Sequence, residues 1–219
     1  EAMTKFSLPG KIILYGTPAE EGGGGKIKLL EAGAYSDHKV DINLISHPGK
    51  VADCALMSTN AYVSFKVEYF GKEAHAAAAP WEGINALDAL ITAYNALSVL
   101  RQQTMPGDII QGHITDGGAA PNIIHAYAAG IFVTRALSKQ RLKVLRKKVN
   151  KCFEAGAEAT GAKLKITEIM GYDDHVPNRA LCKVSRQVMN ALGSDIPSPE
   201  MDIIRGATQA STDQGNISY

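Results

Sequence analysis

The chain has 219 residues, of which 23 are lysine or arginine and 22 are aspartate or glutamate, so its formal net charge is +1. Hydrophobic residues make up 45% of the chain, a composition typical of a globular protein. The balanced charge argues against a nucleic-acid partner. No secretory leader and no run of about 20 apolar residues is evident, and three cysteines lack paired spacing, so we expect a cytoplasmic protein with no membrane partner.

The first part of the chain has the pattern of an α/β sheet. Residues 11–16 form a short apolar run that ends in glycine, which predicts a strand buried on both faces. Residues 26–32 have their apolar side chains at helical spacing, and residues 40–45 form a second apolar run. Strand, helix and strand in this order predict a parallel βαβ unit.

The pattern changes near residue 60, where residues 61–70 alternate between apolar and polar side chains. This alternation predicts an antiparallel strand with one solvent-exposed face. Further elements are predicted at residues 85–101 (helix), 109–115 and 126–137 (strands), 139–160 (a helix capped by Ser138 and ended by Gly161) and 162–170 (strand). The order β-α-β-β-α-β predicts a ferredoxin-like split βαβ sandwich.

The fold class that follows is an α/β domain, with a partial sheet of the parallel type, interrupted by an inserted α+β ferredoxin-like domain. The predicted boundaries are residues 1–59 for the first part of the α/β domain, 60–171 for the insert and 172–219 for the second part. A helix is expected over residues 179–192 of the last segment.

Residues 16–26, GTPAEEGGGGK, follow the first predicted strand. A Walker loop would need glycine at position 20 and serine or threonine at 27, where the chain has Glu20 and Ile27. A dinucleotide-binding turn would need glycine at 27, and adjacent carboxylates would repel a pyrophosphate. Because open α/β sheets place their sites at such strand ends, one of Glu20 and Glu21 can bind a cation while the other faces substrate. The alternative is a solvated helix start.

His47 follows the second predicted strand and is therefore expected at the same sheet edge as Glu21. Imidazole and carboxylate groups are common metal ligands, although a single histidine at a strand end is equally compatible with a structural role. The other histidines lack the spacing of metal ligands; they are His38, His113, His125 and His175.

Six strings together resemble the aminoacylase, carboxypeptidase and dipeptidase family of co-catalytic zinc peptidases, called peptidase family M-twenty, and most of all its aminoacylase-1-like amidohydrolase branch. They are GTPAEEGGGGK, FGKEAHAAAAPWEGINALDAL, LRQQ, GGAAPNIIHAYA, FVTRAL and STDQGNISY, and they occur in the family's order. The resemblance runs from Lys11 to Tyr219. It implies that the α/β part is a catalytic domain and that the insert is a lid and dimerisation domain.

The resemblance also implies roles for the residues at the predicted sheet edge. Glu20 matches the family's general base, and Glu21 and His47 match metal ligands. The implied cofactors are two divalent metal ions, which are zinc or alternatively manganese or cobalt. The implied reaction is cleavage of the amide bond of N-acyl amino acids or short dipeptides by a metal-activated water.

Three lid residues acquire roles from the same resemblance. His75 matches a histidine that steadies the tetrahedral intermediate in the other subunit of a homodimer, and Asn122 and Arg135 match residues that hold a substrate with a free carboxylate. Without the resemblance, His75 is equally well a structural histidine at a strand end, and Arg135 is a surface charge. A second function class remains open, a non-catalytic dimerisation or binding module built on the lid.

The sequence departs from the family in three ways. His125 stands where the family has proline, and neither the early Gly-His-Asp motif nor the late histidine ligand is found. Asp213 belongs to a motif near the family's site without being one of its usual ligands. We therefore expect the chain to be an internal part of a longer enzyme, to be inactive alone and to bind zinc weakly.

Overall fold

The computed structural model describes residues 2–48 and 52–219. The helices in this part are α1 (Ala2–Lys5), α2 (Gly25–Glu31), α3 (Ala34–Asp37), α4 (Ala86–Leu100), α5 (Lys139–Thr160), α6 (Arg179–Ala191), α7 (Pro199–Arg205) and α8 (Gln214–Ile217). The strands are β1 (Ala61–Phe70), β2 (Ala74–His75), β3 (Ile109–Asp116), β4 (Ile123–Ile124), β5 (Tyr127–Ala136) and β6 (Lys163–Tyr172). Short 3₁₀ turns occupy Pro80–Glu82 and Arg101–Gln103.

The four long strands form one antiparallel sheet in the order β3-β5-β1-β6. The two helices α4 and α5 connect these strands, so that the predicted β-α-β-β-α-β order is the observed one. A small second sheet pairs β2 with β4 and was not predicted from the sequence. The central strand β1 matches its predicted span of residues 61–70.

Local signals account for the ends of the two helices. The Asn85 side chain accepts a hydrogen bond from the backbone N–H of Leu87 at 3.0 Å and begins α4. The Ser138 hydroxyl accepts one from the N–H of Arg141 at 3.2 Å and begins α5. Both residues satisfy backbone donors that a helix leaves free at its start. Gly161 ends α5 with a φ of 77°, a conformation that costs glycine little.

The hydrophobic core lies between one face of the sheet and helices α4 and α5. Three phenylalanines meet at its centre: the ring of Phe153 on α5 lies 5.9 Å from that of Phe65 and 4.9 Å from that of Phe132. The buried hydroxyl of Tyr69 donates to the carbonyl oxygen of Phe153 at 2.7 Å, which satisfies a polar group inside the core.

The two strands predicted in the first part of the chain are wrong for this structure. Residues 11–16 and 40–45 have no regular secondary structure, and Ile12 and Leu14 are 81% and 95% exposed. A parallel strand needs neighbouring strands for its backbone N–H and C=O groups, and the strands found in the described residues pair elsewhere. The predicted parallel βαβ unit is therefore not formed, although α2 matches the helix predicted over residues 26–32.

The last segment contacts the residues that precede β1. The buried carboxylate of Asp202 accepts hydrogen bonds from the N–H groups of Ala55 and Leu56 at 3.1 Å, and Ser58 forms a parallel β-bridge with Ala207. Helix α6 matches the helix predicted over residues 179–192. Of the helices within residues 2–48 and 52–219, none has the length and apolar character required to cross a lipid bilayer.

Candidate active site

A cleft of about 390 Å³ lies on the sheet face that is opposite the core. Because successive side chains of a strand point to opposite faces, Tyr62 and Ser64 of β1 face the cleft while Phe65 faces the core. The Gly-rich loop and residues 210–211 complete its walls. The lining residues are Glu20, Glu21, Tyr62, Ser64, Val133, Arg135, Met170, Tyr172, Ala210 and Ser211.

The loop that carries Glu20 and Glu21 is fastened to the end of β6 by Tyr172. The Tyr172 hydroxyl donates to the carbonyl oxygen of Glu20 at 2.7 Å and accepts the N–H of Gly24 at 3.2 Å. Ala19 and Gly24, on either side of the glutamates, have φ values of 66° and 58°. The positive φ of Ala19 is a strained conformation for a residue with a side chain, so the loop is held in a specific shape.

The same loop is tied to the last segment by a buried ion pair. Lys26 is 6% exposed and Asp213 is fully buried. The Lys26 ammonium lies 2.7 Å from Oδ1 of Asp213, and the Lys26 backbone N–H donates to Oδ2 at 2.9 Å. Asp213 therefore neutralises a buried charge and satisfies a free donor at the start of α2.

His47 lies beside Glu20. Its Nε2 is 3.7 Å from Oε1 of Glu20, and its Nδ1 is 2.8 Å from the carbonyl oxygen of Pro48. A carbonyl oxygen only accepts, so Nδ1 carries the proton of the neutral ring and Nε2 keeps its lone pair. That is the state that a histidine needs to bind a metal. Predicted as a neighbour of Glu21, His47 contacts the other glutamate of the pair.

Arg135 forms the facing wall of the cleft. Its guanidinium stacks 4.9 Å from the ring of Tyr62, and its Nη1 donates to the Ser211 hydroxyl at 3.1 Å. Ser211 in turn donates to the carbonyl oxygen of Asn60 at 2.7 Å. These contacts fix the plane of the guanidinium, which has further N–H donors in a geometry suited to a carboxylate.

Tyr62 is a neutral donor at the base of the cleft. Burial, together with nearby Tyr172 and Glu20, raises the pKa of Tyr62 to about 12, against the opposing effect of the Arg135 charge. Its hydroxyl therefore stays protonated at neutral pH. No sequence pattern singles out Tyr62 or Tyr172, because their role depends on the packing of distant segments.

His75 and Asn122 lie together, but they are not among the cleft residues. His75 ends β2, which pairs with β4, and the N–H of Ala76 donates to the carbonyl oxygen of Asn122 at 3.0 Å. Both side chains are exposed. The structure thus brings Glu20, Glu21, His47 and Arg135 to one region and places His75 and Asn122 at a second one.

A metal centre would need more ligands than these residues supply. Within the described ranges, no group of three or more histidine, cysteine, aspartate or glutamate side chains is arranged to hold a metal ion. Glu21 and His47 can contribute two ligands, whereas catalytic metal sites use about three protein ligands for each ion. Asp213, an additional carboxylate nearby, is already occupied by Lys26.

Comparison with known proteins gives this arrangement a context. Residues 58–161 match the peptidase dimerisation domain family. The Xaa-Arg dipeptidase of Mus musculus is 43% identical over 96% of this chain and 48% of its own length. One of the polypeptides of the p-aminobenzoyl-glutamate hydrolase of Escherichia coli is 28% identical over 88% of this chain and 40% of its own length.

A solved structure shares the fold. The aminopeptidase PepT from Bacillus cereus superposes with a TM-score of 0.63 over 88% of this chain and 50% of that chain, at 17% identity. The chain spans about half the length of the Xaa-Arg dipeptidase that it matches. The relatives named here are hydrolases of amide bonds, and the chain belongs, with its dimerisation domain at residues 58–161, to peptidase family M-twenty.

Proposed function

We propose that this chain is the lid-bearing part of an amide hydrolase that cleaves N-acyl amino acids or short dipeptides with a free carboxylate. The observation that carries the proposal is the cleft, which has two carboxylates on one wall and a fixed guanidinium on the other. We place the lid at residues 60–171 and the catalytic parts at residues 1–59 and 172–219. The names of the Xaa-Arg dipeptidase and the p-aminobenzoyl-glutamate hydrolase support amide hydrolysis.

Glu20 is the general base in this proposal. Its side chain lines the cleft and is 23% exposed, so it can reach both water and substrate. The Tyr172 hydroxyl fixes its backbone, which limits the positions that the carboxylate can take. A base held in this way takes a proton from the attacking water and returns it to the leaving amine.

Arg135 binds the carboxylate of the substrate in this proposal. Its guanidinium is oriented by Tyr62 and Ser211, and a planar pair of N–H donors recognises a carboxylate with both of its oxygens. Such a clamp at one end of the cleft positions the scissile amide toward Glu20 and Glu21 at the other. We extend the same role to Asn122, although in this structure it lies outside the cleft.

Metal ions complete the proposed site only with ligands from outside the described residues. Glu21 and His47 are the ligands that this chain supplies, and the proposed ions are two, of zinc or alternatively of manganese or cobalt. When bound, such ions polarise the scissile carbonyl and acidify a water. The chain's own contribution is the free Nε2 lone pair of His47, which the hydrogen bond between Nδ1 and Pro48 maintains.

We also propose that the protein is a homodimer that pairs through β3, an edge strand of the sheet. Strand β6, the other edge, carries Lys163, Lys165 and Glu168, and charged side chains protect an edge from pairing. Strand β3 has the sequence IIQGHITD, with no acidic or basic residue except His113 before Asp116. Two copies of β3 related by a two-fold axis would extend the sheet across both protomers. The dimerisation-domain match supports this proposal.

The activity proposal is tested with Glu20→Gln and Glu21→Gln in the complete protein. We expect Glu20→Gln to keep its metal and to lose about 10²- to 10⁴-fold in kcat, because the amide keeps the shape of the side chain and cannot accept a proton. Glu21→Gln should lose metal. The measurements are elemental analysis and hydrolysis of N-acyl amino acids and dipeptides. Near-normal turnover by Glu20→Gln, or loss of metal from that variant alone, would contradict the assignment.

A further inference from the structure

The imidazole of His75 is held by the turn that follows it. Its Nδ1 lies 3.2 Å from the backbone nitrogen of Ala77 and 3.1 Å from that of Ala78, and the N–H of Ala79 donates to the His75 carbonyl oxygen at 3.1 Å. A backbone N–H group can only donate, so Nδ1 must offer its lone pair to both. The proton of the neutral ring is therefore on Nε2, on the exposed side of the residue.

Two other histidines of the chain have the opposite arrangement. Nδ1 of His175 lies 2.7 Å from the carbonyl oxygen of Met57, and Nδ1 of His47 lies 2.8 Å from that of Pro48. A carbonyl oxygen only accepts, so in these rings Nδ1 carries the proton and Nε2 is left unprotonated. The backbone thus sets different tautomers at different positions of one chain.

We propose that the turn over Ala77 and Ala78 fixes His75 as the Nε2–H tautomer, so that His75 acts as a hydrogen-bond donor to an oxygen that gains negative charge and does not act as a base. This inference rests on the proposed amide hydrolysis, in which the carbonyl oxygen of the substrate becomes an oxyanion. A neutral ring with its proton on Nε2 cannot accept another proton there, and its Nδ1 is occupied by the turn. Ala77 and Ala78 are positioning residues, acting through their backbone N–H groups.

The tautomer is tested by ¹⁵N NMR on the uniformly labelled 219-residue chain at about pH 8, above the usual pKa of histidine. Long-range ¹H–¹⁵N correlations distinguish a protonated from an unprotonated ring nitrogen, and the His75→Gln spectrum assigns the His75 signals. We expect a protonated Nε2 and an unprotonated Nδ1 for His75, with the reverse for His175, which serves as the internal reference. A protonated Nδ1 at His75, or equal amounts of both tautomers, would overturn the proposal.

The donor role is tested with two substitutions in the complete protein. In His75→Asn the side-chain oxygen can still accept from the turn, but the donor at the Nε2 position is lost. In His75→Gln the amide N–H₂ group can reach the Nε2 position, but the acceptor for the turn is lost. We expect His75→Asn to lose about 10²- to 10³-fold in kcat, the effect of removing an oxyanion donor, and His75→Gln to lose less.

The opposite ranking, with His75→Asn close to wild type and His75→Gln inactive, would show that the side chain only stabilises the turn. If the complete wild-type protein hydrolyses no N-acyl amino acid or dipeptide, the proposed function and the donor role both fail. The NMR result still decides the tautomer in that case, so the two failures can be told apart.

Discussion

The ion pair between Lys26 and Asp213 offers the sharpest test of how the candidate site is assembled. We consider Lys26→Met, which keeps the length of the side chain and removes its charge. The variant leaves the Asp213 carboxylate fully buried, with the backbone N–H of Lys26 as its remaining hydrogen-bond donor from α2. A buried carboxylate that has lost its counter-charge is unfavourable, because burial disfavours the charged form.

Removing one partner of a buried ion pair typically costs about 3–5 kcal/mol. The cost should appear in the structure that the pair holds, which is α2 and the loop of Glu20 and Glu21. At about 1.4 kcal/mol for each tenfold change, we expect the opening equilibrium of α2 to increase by a factor of about 10² to 10³ or more. The sheet of β1, β3, β5 and β6 has its own core and should keep its protection.

The assay is native-state hydrogen exchange of the 219-residue chain, which reports local opening segment by segment. The informative amides are those of Lys28 and Ala32, which donate within α2 at 3.0 and 2.9 Å, and amides of β1 serve as the reference. Lys28→Met, an exposed position of the same helix, is the matched control and should change protection by less than about twofold, within the usual range for surface substitutions. A decrease below tenfold in Lys26→Met would refute the reasoning.

Two further predictions concern the sheet and its helices. Burial alone would raise the pKa of Asp108, but hydrogen bonds from Arg141 and the N–H of Met105 outweigh it and hold the pKa below its usual value. The pair therefore stabilises the fold above the unfolded-state pKa of about 3.9, and this contribution is lost as the pH falls through the folded-state pKa. In urea titrations the stability difference between wild type and Asp108→Asn should shrink with acidification, and a difference that stays constant between pH 7 and 2 would contradict this. Ile114→Lys on β3 should convert the proposed dimer to monomer in sedimentation experiments while Ile169→Lys on β6, an edge residue of similar exposure, does not; equal effects of the two would exclude β3 as the specific contact.

The antiparallel sheet was predictable because its signals are local. The alternation over residues 61–70 reflects a strand with one face on Phe132 and Phe153 and the other on the cleft. Asn85 and Ser138 cap their helices through contacts that span only two or three residues. Patterns of this kind depend on the period of the element and on its first turn, both of which are written in consecutive residues.

The parallel sheet expected from residues 11–16 and 40–45 could not be judged in the same way. An apolar run indicates that a segment would be buried in a sheet, but it does not supply the neighbouring strands that its backbone groups require. Leu14 and Leu44 are 95% and 73% exposed in this chain. These side chains form apolar surface of the kind that a further layer of protein covers, and the dipeptidase that the chain matches is about twice as long.

The candidate site depends on pairs that are distant in sequence, which explains why the sequence predicted its members and missed its construction. Glu20 and Tyr172 are 152 positions apart, and Lys26 and Asp213 are 187 positions apart. Asp213 could be located in a family motif, but its partner could not, because a lysine after four glycines resembles a phosphate-binding residue as much as a structural one. The carboxylates on the loop face Arg135 on the sheet only while Tyr172 and Asp213 hold the loop. The distance between the two walls of the cleft is therefore set by these two tethers, and a substitution at either should alter substrate positioning as well as stability.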